Sequence, residues 1–524
     1  MRTTAPRLLA AGVMTAGVMT AGVMTAGVMT AALGSDQPAL ATALGSDQPA
    51  RAAAPAVGVP CRTTALAAAL TSATDGETLQ LAATCWYVLT TALPDITVNL
   101  TITGRGATLE RSDAAGTPDF SLLTVTAGSL SVSHLTFRNG HGGGINVGNE
   151  SPSVPIGDIT VTGSTFTGNT GGAIADGGAD DQGGDIGTLT VTGSRFTGND
   201  FGIIVNGQNP ALGGRATVAS STFTGNGGGI ICNSYWCTVS VTDSAFTGNG
   251  TADGVGAISA DGGNYSDSIS VTGSTFTRNR SGSGGAIYLF EIDGAASLTV
   301  TGDTFTGNTA TGGGGAIYDM GTVLATDSTF IGNTAGIGGA IDNDLGVFLT
   351  GGTFRGNRAG TGGAIYDNAT VEANGTIFDR NRASSDGGAI YQADAQLFST
   401  AAELSLTHSQ IRGNWAGQDG GGIASTFGGF LLSSDTVSLT DSQVLGNDAG
   451  GQGGGIYQDY SGPIPNQFLP AMSLTGSQVL DNFAAAGGGI YNTGGGTVSP
   501  AHSAVARNRP DNCAPAGAVP GCTG

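Results

Sequence analysis

The 524-residue sequence contains no lysine; all 18 of its basic side chains are arginine. Schiff-base chemistry on a lysine amine and phosphate capture by a P-loop lysine are thereby excluded. A coding sequence rich in G and C accounts for that loss without reference to function. Charge of either sign is scarce, at 11% of residues, and acidic side chains outnumber basic ones 39 to 18, for a net charge of −21. Such a surface repels phosphate backbones and anionic lipid, so neither nucleic acid nor a membrane is an expected partner. With four histidines and no C-x-x-C pair, a His/Cys metal centre has no basis. Helix-forming runs of Leu and Glu are missing, and no apolar run beyond residue 33 is long enough to span a bilayer.

Glycine is what the chain has in excess, 93 residues of it. No strict Gly-X-Y period exists, which excludes collagen. Hydrophobic residues make up 39% of the chain and recur at fixed places, which argues against disorder. An ordered repeat whose turns demand glycine remains.

The first 54 residues stand apart. Arg2 and Arg7 precede an apolar run over 8–33, in which AGVMT occurs four times in tandem, and small-residue sites follow at 39–41 and 50–54. This is the layout of a secretory signal peptide, so residues 1–54 are expected to be a leader and the protein to be secreted or at the cell surface. A retained anchor is the competing reading, because the run is long enough to cross a membrane.

Residues 163–174 read GSTFTGNTGGAI, residues 273–287 GSTFTRNRSGSGGAI and residues 327–341 DSTFIGNTAGIGGAI. The Phe-x-x-Asn marker recurs as Phe166/Asn169, Phe196/Asn199, Phe223/Asn226, Phe246/Asn249, Phe276/Asn279, Phe305/Asn308, Phe330/Asn333, Phe354/Asn357 and Phe378/Asn381. The aromatic then becomes aliphatic at Ile411/Asn414, Val444/Asn447, Val479/Asn482 and Val505/Asn508. The spacing is 23 to 35 residues, and from Asn249 onward a Gly-Gly-[Ala/Gly]-Ile marker ends 8 or 9 residues after nearly every asparagine. Alternating Val/Leu and Thr/Ser before each phenylalanine is the period of a half-buried strand.

A unit of three short strands cannot bury a core alone, but stacked units can. The expected fold is all-β, a right-handed parallel β-helix of roughly 15 coils. Equivalent residues would then lie about 4.8 Å apart in successive coils. Phenylalanines would stack inside, and asparagines would bond amide to amide up a ladder at a turn. Residues 55–130 are expected to form an N-terminal cap and first coils, with a helix over 63–73 covering the open end. Residues 131–509 would be the repeats, and 510–524 a stapled tail.

Six cysteines in an exported chain point to disulfides. A solenoid of this length separates its ends by roughly 60 Å, whereas a bridge needs Cα atoms within about 7 Å. The expected pairs are therefore Cys61–Cys85, Cys232–Cys237 and Cys513–Cys522.

Candidate sites are few. RNGHGGG at 138–144 contains the Gly-His-Gly of polygalacturonases, but the aspartates that such enzymes cluster with it are absent, and His141 is read as a turn residue. No catalytic residue is assigned. Asp176, Asp180, Asp181 and Asp185 form an acidic loop that makes calcium the one candidate ion; otherwise no cofactor is expected. Arg278, Arg280, Arg355, Arg358, Arg380 and Arg382, with Arg412, flank the asparagines and would line up as a basic strip for an anionic glycan. The plainer reading pairs them with Asp319, Asp342, Asp367 and Asp379. Tyr318, Tyr366 and Tyr391, with Tyr288, Tyr457 and Tyr491, recur after the GGAI marker, either as an exposed ladder suited to sugars or as core wall.

Together the GGAI and F-x-x-N markers over about 137–509 resemble the repeats of the polymorphic outer-membrane protein family, within the pectin-lyase-like β-helix proteins. That resemblance implies a surface passenger engaged in adhesion. The sequence closes on GCTG without the amphipathic pattern of an outer-membrane barrel, so simple secretion is the expectation. The implied function is non-catalytic binding of a polysaccharide or cell-surface glycan. A polysaccharide lyase or glycoside hydrolase on the same scaffold is the alternative.

Overall fold

A computed structural model describes residues 55–148, 156–176, 187–206, 213–234, 236–263, 267–291, 296–393, 402–427, 436–460, 471–493 and 496–522. The expected leader, 1–54, lies outside them.

One coil shows how the sequence makes the fold. Ser297–Thr301 alternates inward Leu298 and Val300 with outward threonines, the pattern of a strand buried on one face. Gly302 turns the chain at positive φ, and Thr304–Thr306 follows with Phe305 inward. Gly307 turns it again, Asn308 occupies the corner, and Gly314 makes the third left-handed turn before Ile317–Asp319. Three positive-φ positions per coil explain much of the glycine content.

Successive coils repeat this path in register, and every strand pairing among the described residues is parallel. Phe276 lies opposite Phe305, and Phe305 opposite Phe330. The first two strand positions stack into a 31-stranded sheet, and the strands after the Gly-Gly marker into one of 15 strands running from Leu123–Val125 to Cys513–Ala514. The chain is a parallel β-helix.

Three internal columns hold the coils together. Ten phenylalanine rings, from Phe137 to Phe378, stack face to face at centroid distances of 4.5 to 5.0 Å. Phe137 is an addition to the sequence pattern: its asparagine, Asn139, follows at two residues instead of three. Beside the rings runs a buried asparagine column: Asn169, Asn199, Asn226, Asn249, Asn279, Asn308, Asn333, Asn357, Asn381, Asn414, Asn447, Asn482 and Asn508. Up to Asn482, each Nδ2 donates to the next asparagine's Oδ1 at 2.9 to 3.0 Å. The same Nδ2 also donates to the backbone carbonyl of an aromatic or aliphatic marker residue of the preceding coil, as from Asn333 to Phe305 O at 3.0 Å. Each Oδ1 after the first also accepts the preceding asparagine's backbone N–H, as Asn333 does from Asn308.

A serine column, unforeseen from the sequence, lines the first turn. Ser194 Oγ accepts the Ser164 N–H at 3.1 Å and donates to Thr192 O at 3.0 Å. The same pair of bonds recurs at Ser221 and Ser244. Its signal is the serine two residues before most of the aromatic or aliphatic marker residues.

The helix Thr63–Thr71, two residues shorter than expected, buries Leu66 and Leu70 against the first coils, with Val57–Val59 and Trp86–Leu89 as neighbours. All three expected disulfides are present, with Cα separations of 5.6, 6.1 and 6.2 Å. Among the described residues no helix is long and apolar enough to cross a membrane.

Candidate functional site

On the 15-stranded sheet, side chains alternate inward and outward. In Ile317–Asp319 and Ile365–Asp367 the isoleucine and aspartate are buried, while the tyrosine between them is half-buried and faces out. Register then builds an outer column: Tyr288, Tyr318, Asp342, Tyr366, Tyr391, Ala424, Tyr457, Tyr491. Adjacent rings stack at 5.4 Å for Tyr288 and Tyr318, 5.3 Å for Tyr366 and Tyr391, and 5.7 Å for Tyr457 and Tyr491. Neither sequence reading of the tyrosines fits alone: they are outside the core, yet flank on flank they cover one another. Partial burial pushes the Tyr288 and Tyr366 phenols up to about 12.

Two rungs of this column lack a ring. At Ala424 the gap is closed, and Tyr391 Oη meets Thr426 Oγ1 at 2.7 Å beside it. At Asp342 it is open. A groove of 460 Å³ lies there, lined by Tyr318, Tyr366, Asp342, Asp344, Asn368 and Ile337 together with Gly312, Gly313 and Gly336. Asp342 forms its floor and is only 4% exposed. No described group donates a hydrogen bond to its carboxyl. Burial, then the neighbouring Asp344, pushes Asp342 up to about 8. Burial also raises Asp344, against a hydrogen bond from Asn368 Nδ2 that favours its charged form. Asp342 fits its slot because residue 313 is glycine: a Cβ there would strike its carboxylate.

This placement corrects the expected arginine pairings. Asp319 and Asp367 face the interior, where their carboxylates accept the backbone N–H of Gly321 and Ala369 at 2.8 Å each. With Asp342 they lie on a different sheet from the arginines. Only Asp379 meets them, at 3.4 Å from Arg355, 3.2 Å from Arg380 and 3.3 Å from Arg412.

The arginines themselves do not form one strip, because the corner presents three separate columns. Arg355 shares a column with Asp379 and Arg412. Arg278 and Arg380 occupy the left-handed turn that most coils fill with glycine. Arg280, Arg358 and Arg382 begin the short strands after the asparagine, with threonines in the two coils between Arg280 and Arg358. Arg382 lies 3.9 Å from the centroid of the Trp415 ring. A shallow groove of 760 Å³ runs from Asp379, Arg380 and Arg412 past Gln443 and Gln478 to the Asp481–Arg507 pair, which closes at 2.7 Å.

The asparagines beneath these arginines offer a ligand nothing. Asn199, Asn226, Asn279, Asn381, Asn414, Asn447 and Asn482 are each at most 3% exposed, and both ends of every amide are committed to neighbouring coils. They build the corner from the inside, and only the residues on either side of them reach its surface.

The remaining candidates do not assemble. Asp180, Asp181 and Asp185 lie outside the described residues. Asp176, expected in the same solvated loop, instead ends the strand Ile174–Asp176 at 1% exposure, because its rung points into the core. Among the described residues no three His, Cys, Asp or Glu side chains come together as a metal site. His141 pairs in register with Thr170 and places Nδ1 2.8 Å from Asp119 Oδ1. The open rung breaks the recurrence instead of following it; its signal is AIDND where the coils on either side read AIYD.

The Chlamydia polymorphic membrane protein repeat matches residues 273–289, 304–319 and 375–393, so these coils carry that repeat. No curated protein matches the chain. Among solved structures it is similar to the catalytic unit of a thermostable GH87 alpha-1,3-glucanase from Streptomyces thermodiastaticus strain HF3-3. There the identity is 13% and the TM-score 0.34, over 84% of this chain and 65% of the glucanase unit. It is also similar to a PL6 alginate lyase in complex with a trisaccharide, at 11% identity and TM-score 0.27 over 86% of each chain.

Proposed function

We propose that this chain is a secreted or cell-surface β-helix that binds a glycan without cleaving it, an adhesin-like role, through the tyrosine column. The observation that carries the reading is the outward, in-register series of half-buried rings. The outer edges of the stacked rings offer apolar carbons and hydroxyls to a sugar at the spacing of the coils, and ring faces are open where a rung lacks a tyrosine. Coils matching the repeat of a membrane protein support a surface location. The corner arginines Arg278, Arg280, Arg355, Arg358, Arg380 and Arg382 supply a second contact, for anionic groups of the same polymer.

The test is retention of the protein on immobilised neutral, acidic and amino polysaccharides. A variant carrying Tyr318→Ser, Tyr366→Ser and Tyr391→Ser should lose retention at least tenfold, with its circular dichroism unchanged. Undiminished retention would remove the tyrosine face from the proposal. One observation favours a second reading, a polysaccharide lyase or glycoside hydrolase: the groove that joins Asp379 to Arg380 and Arg412. Shortened oligosaccharides after incubation, with or without calcium, would establish it in place of the first.

A further inference from the structure

The tyrosine column is interrupted beside two carboxylates, Asp342 and Asp344. Tyr318 and Tyr366 are two coil steps apart, roughly 10 Å. A pyranose ring stacked on both aromatic faces needs about that height. The groove is walled by Tyr318 and Tyr366, each already backed by its own stacked neighbour, Tyr288 or Tyr391. No cation lines it. Asp342 and Asp344 face the space, while Asp319 and Asp367 lie on neighbouring rungs behind it. A cleft with carboxylates of one sign and low-dielectric walls concentrates the opposite charge. The floor carboxyl, buried and without a hydrogen-bond donor, lacks the partner that a buried acid ordinarily has.

We propose that the gap between Tyr318 and Tyr366 is a subsite for one protonated amino-hexose unit of a polysaccharide, its ring sandwiched by the two tyrosines and its ammonium set on Asp342 and Asp344. An ammonium supplies up to three N–H donors to the two carboxylates, and the tyrosine faces add cation–π attraction. Asp342, protonated in the empty site near neutral pH, gives its proton to solvent as the cation arrives. This inference rests on the glycan-binding reading and narrows it to a sugar class.

The experiment is isothermal titration of the full chain at pH 7 with three probes: a glucosamine tetrasaccharide bearing free amines, its N-acetylated counterpart, and a glucose tetrasaccharide. The free-amine probe should bind at least tenfold more tightly than the other two. Its heat should vary with the ionisation enthalpy of the buffer, showing proton release. Asp342→Asn and Asp342→Tyr should each weaken it tenfold or more. The tyrosine variant should fold, since tyrosine occupies that rung in the coils on either side. Equal affinity for all three probes, or undiminished binding by both variants, would overturn the subsite while leaving glycan binding intact. Binding of none would overturn the subsite, and retention on the wider set of polysaccharides then decides the glycan reading by itself. Calcium chloride taken up in place of the amine, and lost in Asp342→Asn, would overturn the sugar in favour of a metal.

Discussion

Asp303 occupies a rung that serine fills in most other coils, and the exchange has a physical signature. A serine hydroxyl accepts the N–H of the coil before and donates to its own strand's carbonyl; an ionised carboxylate has no proton to donate. Asp303 instead accepts twice, from Ser274 N at 2.7 Å and Thr301 N at 2.8 Å. Burial outweighs both bonds and pushes its acid up to about 6. Because the native acid holds its proton more tightly than the unfolded one, whose pKa is about 3.9, the native state binds more protons between these values. Asp303's contribution to stability is therefore greatest below the unfolded pKa and is lost as pH rises through 6. Asp342 continues the decline towards 8. Asp303→Ser should gain on the order of 1–2 kcal/mol over the wild type at pH 7.5 and little at pH 4. Urea unfolding at the two pH values checks this; an equal effect at both would show that the carboxyl is not the cause.

Within an element, a rung is worth more than its own bonds, since each asparagine serves two neighbours. Asn333→Ala would leave the Asn308 N–H and Nδ2 and the Phe305 carbonyl without their partner. A loss of about 2–4 kcal/mol is expected, buried groups being costly to abandon. Hydrogen exchange should show it at the amides of coils 308 to 357 and spare distant coils. The second glycine of the marker is stricter still: a Cβ at Gly363 would lie 2.2 Å from Gly388 O, whereas one at Gly282 meets nothing within 4 Å. Gly363→Ala should fail to give soluble protein under conditions in which Gly282→Ala matches the wild type in thermal midpoint. These columns were legible beforehand because Phe, Asn and Gly-Gly each meet one requirement that recurs in every coil. The arginines misled because sequence proximity to the asparagine spreads over three directions at a corner. The slot at Asp342 went unread because it exists only as a missing tyrosine, and its significance depends on which strand lies above and below.

At the scale of the molecule, stability is a sum over coils and their contacts, so a whole coil is removable where a half coil is not. Ile341 and Ile365 are equivalent positions. Excising residues 342–365 joins Ile341 to Tyr366 in register and brings Tyr318 and Tyr366 onto adjacent rungs. The shortened chain should keep its circular dichroism and its cooperative unfolding, and lose the amino-sugar preference. A chain shortened by twelve residues in the same place should not fold, and small-angle scattering would distinguish the two. The asparagine column carries a last consequence. All of its rungs donate in one direction, so its far end would present two waiting donors, the template on which a second copy could polymerise. Asn512, four residues past Asn508, takes both: its Oδ1 accepts the Asn508 N–H at 3.1 Å and Nδ2 at 3.2 Å. At the other end, Gly140 N–H donates to Asn169 Oδ1 at 3.0 Å with no side chain to prolong the series. A counterfeit rung at one end and a blank one at the other make the column a finite ruler and not the seed of a fibre.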